Sequence, residues 1–322
     1  MNKKLVNAIR IIISLSLFSF LIFRNRNNFE SIINTLKTLD IYYLVIALLL
    51  YTLGISLIVF RWGILLQAYN FYISRRFLWQ SAFIGWFFNM LLPTSAGGDF
   101  YRVYDLYKNK AVPISHNAAA VVMERIIGTI TGITLIVLSY FLGLFKFMTI
   151  NAVITLLAAL AVIIIFFILL LFPDLFKIDV LLRKFKIFSR IRPALRSFHN
   201  NLISYRHRLK YVAGSFLVSA ALQVSFIISY YFISLSMGLD MKFKIFVFVM
   251  PFASLAATVP ITIGGLGIRE NALVYSMKNF GIGEGDAALF SLIVLAIILF
   301  NAIIGGMTYL VKNIFYRSKG II

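Results

Sequence analysis

Cysteine is absent from this sequence of 322 residues, and acidic residues are scarce, at 11 against 31 lysines and arginines. The absence of cysteine excludes disulfides and thiolate chemistry. The three histidines lie far apart or in a basic segment, without the spacing of metal ligands. Only 13% of the residues are charged, about half of what a soluble domain carries. We therefore predict no catalytic residue, no metal and no cofactor, and an ordinary soluble domain is excluded.

Long apolar runs stand where the charge is missing, since 61% of the residues are hydrophobic. A run of about 20 apolar residues spans the hydrocarbon core of a bilayer. The sequence therefore predicts an all-α polytopic membrane protein, a single membrane domain over residues 1–322. About six full transmembrane helices are expected, near 5–23, 41–60, 115–145, 149–172, 212–236 and 286–311.

The basic residues give a net charge of +20, which in a soluble protein would suggest nucleic acid. In a membrane protein, Lys and Arg concentrate in cytoplasmic loops, so we expect a membrane and no nucleic acid as partner. This distribution places both termini in the cytoplasm, with Arg61 and Lys312 at the cytoplasmic ends of their helices. The basic segment 173–211 is interpreted as a surface linker, as an interfacial helix that binds anionic lipid, or as both.

Two interruptions share one pattern, Pro-x-x-x-Gly-Gly-x-x-x-Arg: PTSAGGDFYR at 93–102 and PITIGGLGIR at 260–269. They separate short helical segments at 77–92, 99–109, 245–259 and 267–279. A helix of about 16 residues is too short to cross the core, so these segments predict two re-entrant helical hairpins. Helix pairs that cross fully are the alternative, and they would leave the topology unchanged. We interpret the pattern as an inverted-topology repeat. Its units are about 41–145 and 212–311, joined by helix 149–172 and the cytoplasmic loop 173–211.

Each break is expected to present the start of a short helix to a ligand. Glycines allow close approach, and the free N–H groups at a helix start attract anions, phosphate above all. Arg102 and Arg269 follow the glycines by one to two turns and add planar donors. Close packing of helices is the alternative reason for the glycine pairs. The predicted substrate-binding residues also include Asn89, Thr94, Ser95, Gly97, Gly98, Thr262, Gly264 and Gly265.

Further charged residues fall where the chain is expected to lie inside the membrane. A buried ion in a membrane usually marks a functional site. Glu124 could pair with Arg102 or Arg269, and Arg125 could pair with Asp99. Asp99 could instead cap its helix, pair with Arg102, contact a cationic head group or take up a proton. The same charges could form a purely structural ion-pair network. The predicted substrate site is completed by Asp99, Glu124, Arg125 and Glu270.

The stretches LLPTSAGGDFYRVY (91–104), MERIIG (123–128) and VPITIGGLGIRENAL (259–273) resemble the lysylphosphatidylglycerol synthase transmembrane-domain family, also called flippase-like or UPF0104. The resemblance covers nearly the whole chain. It implies a lipid translocase in the plasma membrane of a prokaryote. In the two-domain relatives, the transmembrane part is taken to flip aminoacylated lipid. Other stand-alone members look linked to polyprenyl-phosphate sugars and cell-envelope glycans.

The resemblance also sets expectations about partners and chemistry. A soluble domain makes the lipid in the two-domain relatives. This sequence ends at Ile322, so that lysyltransferase domain is expected to be absent and the protein is not expected to be an enzyme. The expected substrate is an anionic lipid or a lipid-linked phosphate, and an envelope-synthesis enzyme is a candidate partner. Two alternatives stay open: an integral-membrane transferase acting on a lipid phosphate, and a non-transporting partner of an envelope glycosyltransferase.

Overall fold

The computed structural model describes residues 12–20, 23, 29–92, 97–144, 158, 161, 165, 192–258 and 262–318. All regular secondary structure in these residues is helical. The helices are α1 Phe29–Lys37, α2 Ile41–Gln67, α3 Arg75–Leu91, α4 Gly97–Lys110, α5 Ile114–Phe141, α6 Arg192–Ser204, α7 Leu209–Ser236, α8 Phe246–Thr258, α9 Ile268–Asn279 and α10 Glu284–Ser318. Short 3-10 turns cover Tyr205–His207, Phe243–Ile245 and Ile263–Gly265.

Four helices in the described part of the chain are long and apolar enough to cross a membrane: α2, α5, α7 and Glu284–Ile314 of α10. α2 shows why such a helix forms where it does. Asp40 precedes it and accepts a hydrogen bond from the backbone N–H of Tyr42 at 2.9 Å. The mean hydropathy of its most apolar window is 2.5. The chain is therefore a multi-pass membrane protein, as predicted.

Two predicted spans are described only in part. Residues 12–20 and 23 of the predicted span 5–23 are helical, as are residues 158, 161 and 165 of the predicted span 149–172. The rest of both spans lies outside the described residues.

Two pairs of short helices flank the breaks, at the positions that the sequence predicts. The predicted segments 77–92 and 99–109 are α3 and α4, and the predicted segments 245–259 and 267–279 are α8 and α9. Residues 93–96 and 259–261, which include the proline of each break, lie outside the described residues. That each pair enters and leaves the membrane on one side stays a prediction.

The packing of the helices interlocks the two halves of the chain. Each half runs through a long helix, a short pair and a second long helix. The first long helices, α2 and α7, pack along each other. The short helix α3 packs on α10 of the other half, and the short helix α8 packs on α5 of the other half. Each break is thus held between elements of both halves.

Two helices continue further than predicted, and this moves two basic residues into the protein interior. α2 runs on to Gln67 and α10 to Ser318. The predicted helix ends at residues 60 and 311 are wrong, because Arg61 and Lys312 lie within their helices. Their side chains are only 11% and 8% exposed, because each has a carboxylate partner inside the protein.

The basic segment 173–211 is described from residue 192 onward, where it consists of α6, a 3-10 turn and the start of α7. α6 packs against α5, and the hydroxyl of Ser197 donates to the hydroxyl of Ser115 at 3.1 Å. In the turn that follows, the hydroxyl of Tyr205 donates to the carbonyl of Leu65 at 3.0 Å. This part of the predicted linker is therefore docked on the helix bundle. The short helix α1, which packs on α10, was not predicted.

Candidate functional site

The first break is closed by tight packing between α3 and α4. A Cβ atom at Gly98 would overlap the backbone carbonyl of Gly85, so only glycine fits at this crossing. The amide oxygen of Asn89 accepts a hydrogen bond from the backbone N–H of Gly98 at 2.8 Å. Asn89 therefore caps the start of α4, and this cap carries no charge.

An ion-pair network extends from this helix start across three helices of the first half. Glu124 on α5 accepts from Arg102 on α4 at 2.6 Å and from Arg61 on α2 at 3.1 Å. Asp99, in the first turn of α4, pairs with Arg125 and lies 3.6 Å from Arg102. The predicted pairs Glu124 with Arg102 and Asp99 with Arg125 are confirmed as contacts.

The exposure of the network falls from one end to the other. The side chain of Arg125 is 42% exposed and that of Asp99 is 17% exposed. The side chain of Arg102 is 9% exposed and that of Glu124 is 2% exposed. The pair of Arg125 and Asp99 is therefore the accessible end of the network, and Glu124 is its buried end.

Arg102 is held by Trp62 and Asn117 as well as by the carboxylate of Glu124. Its guanidinium lies over the ring of Trp62, 4.0 Å from the centroid. The indole N–H of Trp62 donates to Asn117 at 3.0 Å, and the amide of Asn117 donates to the backbone carbonyl of Arg102 at 3.1 Å. Within the described residues, the Nε of Arg102 is buried without a hydrogen-bond partner. The guanidinium is thus fixed in place, with its buried Nε donor unused among the described residues.

One turn further along α4, a second buried ion pair joins this short helix to α10. The ammonium of Lys312 donates to both carboxylate oxygens of Asp105, at 2.7 and 2.8 Å. The same ammonium lies 4.6 Å from the centre of the Phe77 ring on α3. This pair ties the first hairpin to the last long helix.

Three glycines of the second break adopt positive backbone φ angles. Gly264, Gly265 and Gly267 have φ of 55°, 77° and 85°, a region that glycine adopts without a steric cost. The helical segment 12–20 packs on this break, since the backbone N–H of Ile263 donates to the hydroxyl of Ser14 at 2.8 Å. The turn at Ile263–Gly265 is therefore folded and covered.

A carboxylate of the chain itself occupies the start of α9. Glu270 accepts from the backbone N–H of Gly267 at 2.6 Å. Its other oxygen accepts from the Nη2 of Arg269 at 2.7 Å and from the Nε at 3.1 Å. Glu270 is fully buried and Arg269 is 7% exposed. Two donors of Arg269 and one donor of the helix start are thus already used inside the protein.

The two breaks meet at the end of α3. A Cβ atom at Gly264 would lie 3.2 Å from the backbone carbonyl oxygen of Asn89 and 2.9 Å from the sulfur of Met90. Asn89 therefore touches the second break through its backbone and caps the first through its side chain. The structure brings the two glycine motifs together, while each arginine keeps a carboxylate partner from its own half.

The predicted substrate residues fall into three groups. The structure gathers Asn89, Gly97, Gly98, Asp99, Arg102, Glu124 and Arg125 at the first break, and Thr262, Gly264, Gly265, Arg269 and Glu270 at the second. Thr94 and Ser95 lie outside the described residues. The hydroxyl of Thr262 is buried and has no hydrogen-bond partner among the described residues. Substrate binding by all of these residues stays a prediction.

The sequence-based reasoning missed several members of the network. Arg61, Trp62 and Asn117 support Arg102 and Glu124, and Asp105 with Lys312 forms the neighbouring pair. A signal for Asn117 was present, because it precedes Glu124 by seven residues and so shares its helix face. Arg61 and Lys312 gave no such signal, since they resemble ordinary flanking basic residues. The described residues hold no group of three or more His, Asp or Glu that could bind a metal ion.

Comparison with known proteins identifies the family of this chain. Residues 7–305 match the model of the family described as lysylphosphatidylglycerol synthase TM region. A UPF0104 membrane protein of Pyrococcus horikoshii is 26% identical over 291 residues, covering 83% of this chain and 85% of the relative. One of Methanocaldococcus jannaschii is 30% identical over 245 residues, covering 72% and 98%. One of Methanothermobacter thermautotrophicus is 23% identical over 273 residues, covering 79% and 80%.

No solved structure matches the chain significantly. The family match extends over nearly the whole sequence, and the relatives are prokaryotic membrane proteins. The chain therefore belongs to the lysylphosphatidylglycerol synthase TM region family, which confirms the resemblance inferred from the three motifs.

Proposed function

We propose that this protein is a lipid translocase that moves a phosphate-containing head group across the plasma membrane. An aminoacylated phospholipid or a polyprenyl-phosphate-linked sugar would fit this description. The observation that carries the proposal is the network at the first break, where a partly exposed arginine leads to a buried one. Such a graded set of arginines inside an apolar protein suits an anionic head group whose tails stay in the bilayer.

In this proposal, the carboxylate of Asp99 lies where the phosphate of the head group would bind. Its carboxylate is held by Arg125 and lies near Arg102, at the accessible end of the network. A phosphate oxygen has the same charge and accepts the same donors. An incoming phosphate would therefore exchange with Asp99 on the guanidinium of Arg125. The displaced carboxylate of Asp99 would stay near Arg102, from which it lies 3.6 Å away.

The packing between the two halves suggests how the protein could change conformation during transport. α3 packs on α10 and α8 on α5, so a movement of one half shifts the hairpin of the other. Inverted-topology repeats in transporters expose a central site alternately to the two sides in this way. We propose that the two halves rock about the contact between α2 and α7, with the network at the first break as the site.

The test is head-group crossing in liposomes that contain the purified protein. Fluorescent phosphatidylglycerol, its lysyl ester and a polyprenyl-phosphate sugar would be placed in both leaflets, and dithionite quenching would report exchange. We expect at least one lipid to cross faster than in protein-free liposomes. Arg125→Gln should slow it by about tenfold or more, because hydrogen bonds to a charged group are worth about 1.5–3 kcal/mol.

Arg206→Gln is the matched control, since Arg206 is an exposed arginine in the turn after α6. It should leave the crossing rate unchanged. Equal rates with and without protein for all three lipids would rule out the translocase. A lipid product of new mass in the same samples would favour the transferase instead.

A further inference from the structure

We infer that a second anion site lies where α5 and α7 begin, apart from the network at the first break, and that it binds the phosphate of an anionic phospholipid. Its centre is Tyr69, in the turn after α2. The guanidinium carbon of Arg208 lies 4.2 Å from the centre of the Tyr69 ring, and the ring of His116 lies 5.0 Å from it. The hydroxyl of Tyr69 donates to the backbone carbonyl of Asn201, which brings α6 to the same place.

The backbone carbonyls around Tyr69 already have donors. The carbonyl of Asn201 accepts from the hydroxyls of Tyr69 and Ser204. The carbonyl of Leu65, near the end of α2, accepts from the hydroxyl of Tyr205 at 3.0 Å. The acceptors that the ends of α2 and α6 bring to this place are therefore in use.

The side chains around Tyr69, by contrast, have unused polar atoms. The Nη1 of Arg208 and the Nδ2 of Asn201 are buried donors without a hydrogen-bond partner in the described part of the chain. The Nδ1 of His116 is also buried without a partner there, and it donates or accepts according to its tautomer. Arg208 takes no part in the ion pairs among the described residues. A buried donor without an acceptor costs free energy, so the group that would complete this site is an acceptor.

Two long helices begin at this place, and neither start is capped by a side chain. α5 begins two residues before His116, and α7 begins directly after Arg208. Neither helix has a side-chain hydrogen bond at its cap position. The free N–H groups and the dipole of a helix start favour an anion. At the two breaks, by contrast, the side chains of Asn89 and Glu270 cap the helix starts.

Exposed apolar side chains beside these donors favour a lipid over a free phosphate. Ile114 and Leu209, the first residues of α5 and α7, are 52% and 68% exposed. Acyl chains can cover such side chains, whereas inorganic phosphate cannot. Basic and apolar groups side by side are typical of contact with anionic lipid at a membrane surface. The predicted topology puts both helix starts on the cytoplasmic side.

This lipid would bind without being transported, so the inference goes beyond the proposed function. Glu124 of the network lies eight residues after His116 on α5, about 12 Å along the helix axis. The two sites are therefore separate. A phosphate at Arg208 and His116 would connect α5, α6 and α7, and would hold the described part of the basic segment 173–211 on the helix bundle.

Native mass spectrometry of the delipidated protein in detergent, titrated with phosphatidylglycerol, tests the site. Arg208→Gln should weaken binding by about tenfold or more, because charge-assisted hydrogen bonds to the phosphate are lost. Phosphatidylglycerol bound at the network would depend on Arg125 instead. The effects of Arg125→Gln and Arg208→Gln should add in the double variant, since the sites are far apart. If Arg208→Gln weakens binding but no lipid crosses in liposomes, the translocase proposal fails while this site stands.

Asn201→Leu distinguishes lipid binding from structural support. Leucine has a similar size and keeps the backbone carbonyl that Tyr69 uses, while the unused donor is removed. We expect the thermal midpoint without lipid to stay the same or rise, because an unpaired buried donor is lost. The rise in midpoint that phosphatidylglycerol causes should become smaller. This variant keeps the test decisive even if Arg208→Gln does not fold.

Arg206→Gln is the matched control, because Arg206 is exposed, lies two residues before Arg208 and loses the same charge. It should leave phosphatidylglycerol binding unchanged. Equal weakening by Arg206→Gln and Arg208→Gln would indicate diffuse attraction to the basic surface and would overturn the site.

Two further ligands test the lipid and its phosphate separately. Diacylglycerol with the same acyl chains should not bind at Arg208, and binding as tight as that of phosphatidylglycerol would show that the phosphate is not recognised. Inorganic phosphate should compete only weakly. If it bound as tightly as the lipid in an Arg208-dependent way, the ligand would be a soluble phosphate and the assignment to a lipid would be wrong. Unchanged binding in both Arg208→Gln and Asn201→Leu would overturn the inference as a whole.

Discussion

The two breaks share a sequence pattern, yet the structure fills them differently. At the first, the neutral amide of Asn89 caps the helix start, and the nearby arginine belongs to a network that reaches the surface. At the second, the carboxylate of Glu270 caps the helix start and also takes two donors of Arg269. Among the described residues, the ion pairs of the first break are graded in exposure, and the ion pair of the second break is buried.

The difference shows how one motif can serve two purposes in a duplicated chain. A helix start attracts an anion through its free N–H groups and its dipole. When the anion is a side chain of the same helix, the attraction stabilises the fold and leaves nothing for a ligand. Glu270 does this at the second break. We therefore place the candidate head-group site at the first break, and regard the second as its support.

The strongest test of this comparison is Gly98→Ala. The added methyl group would overlap the backbone carbonyl of Gly85, and neither helix backbone can move aside without breaking the packing of α3 on α4. Overpacking of a tight interior costs about 1–3 kcal/mol and more when backbone is struck. We expect little folded protein after detergent extraction, measured by size-exclusion chromatography.

Gly214→Ala is the control for Gly98→Ala, since Gly214 lies in helix α7 and an added Cβ would meet Ile64 at an ordinary 3.7 Å. It should fold as the natural protein does, because alanine favours a helix over glycine. A folded Gly98→Ala protein of normal yield would show that the crossing of the first hairpin is looser than the structure indicates.

The helices and breaks could be predicted because their signals are local. Apolar runs identified α2, α5, α7 and α10, and the glycine pairs identified both breaks within a few residues. The ends of α2 and α10 could not be predicted in this way. A basic residue normally ends an apolar span, whereas Arg61 and Lys312 continue their helices because distant carboxylates compensate them. Such partners are known only from the fold.

The sequence predicted which residues lie at the two breaks, but it did not predict that the two breaks differ. An arginine at the same offset in both motifs suggested two equivalent anion sites. Whether an arginine is available depends on where the nearest carboxylate lies, and this is a matter of side-chain placement. Glu124 reaches two arginines from a third helix, and Glu270 turns back on its own helix start. The sequence contains both residues without showing this difference.

A pair of double variants would sharpen the comparison at the level of activity. Arg102→Gln with Glu124→Gln leaves the charge of the first network unchanged but removes its central contact. Lipid crossing should fall by about tenfold or more, since hydrogen bonds between the arginine and a charged head group are lost. Arg269→Gln with Glu270→Gln removes the neutral pair of the second break. The lipid crossing rate of this second double variant should stay within about threefold of the natural rate. The reason is that the amide that replaces the Glu270 carboxylate keeps an oxygen that can accept from the helix start.

The readout for both double variants is the initial crossing rate in liposomes at equal protein content. Equal losses in the two would mean that both breaks bind the head group, and the division between site and support would be wrong. A larger loss at the second break would reverse the assignment.

The smallest expected effect concerns the neutral cap itself. Asn89→Ala removes the acceptor of the Gly98 N–H bond, and the loss of a helix cap costs about 1 kcal/mol. Asn89→Asp keeps an acceptor at the same place and gives the first break the charged cap that Glu270 provides at the second. We expect thermal unfolding in detergent to show a lower midpoint for Asn89→Ala and a natural midpoint for Asn89→Asp.

The aspartate should nevertheless weaken phosphatidylglycerol binding, because its carboxylate competes for the helix start and reduces the positive charge there. If Asn89→Asp bound the lipid as well as the natural protein does, a charged cap would be compatible with anion binding, and Glu270 would no longer distinguish the second break from the first.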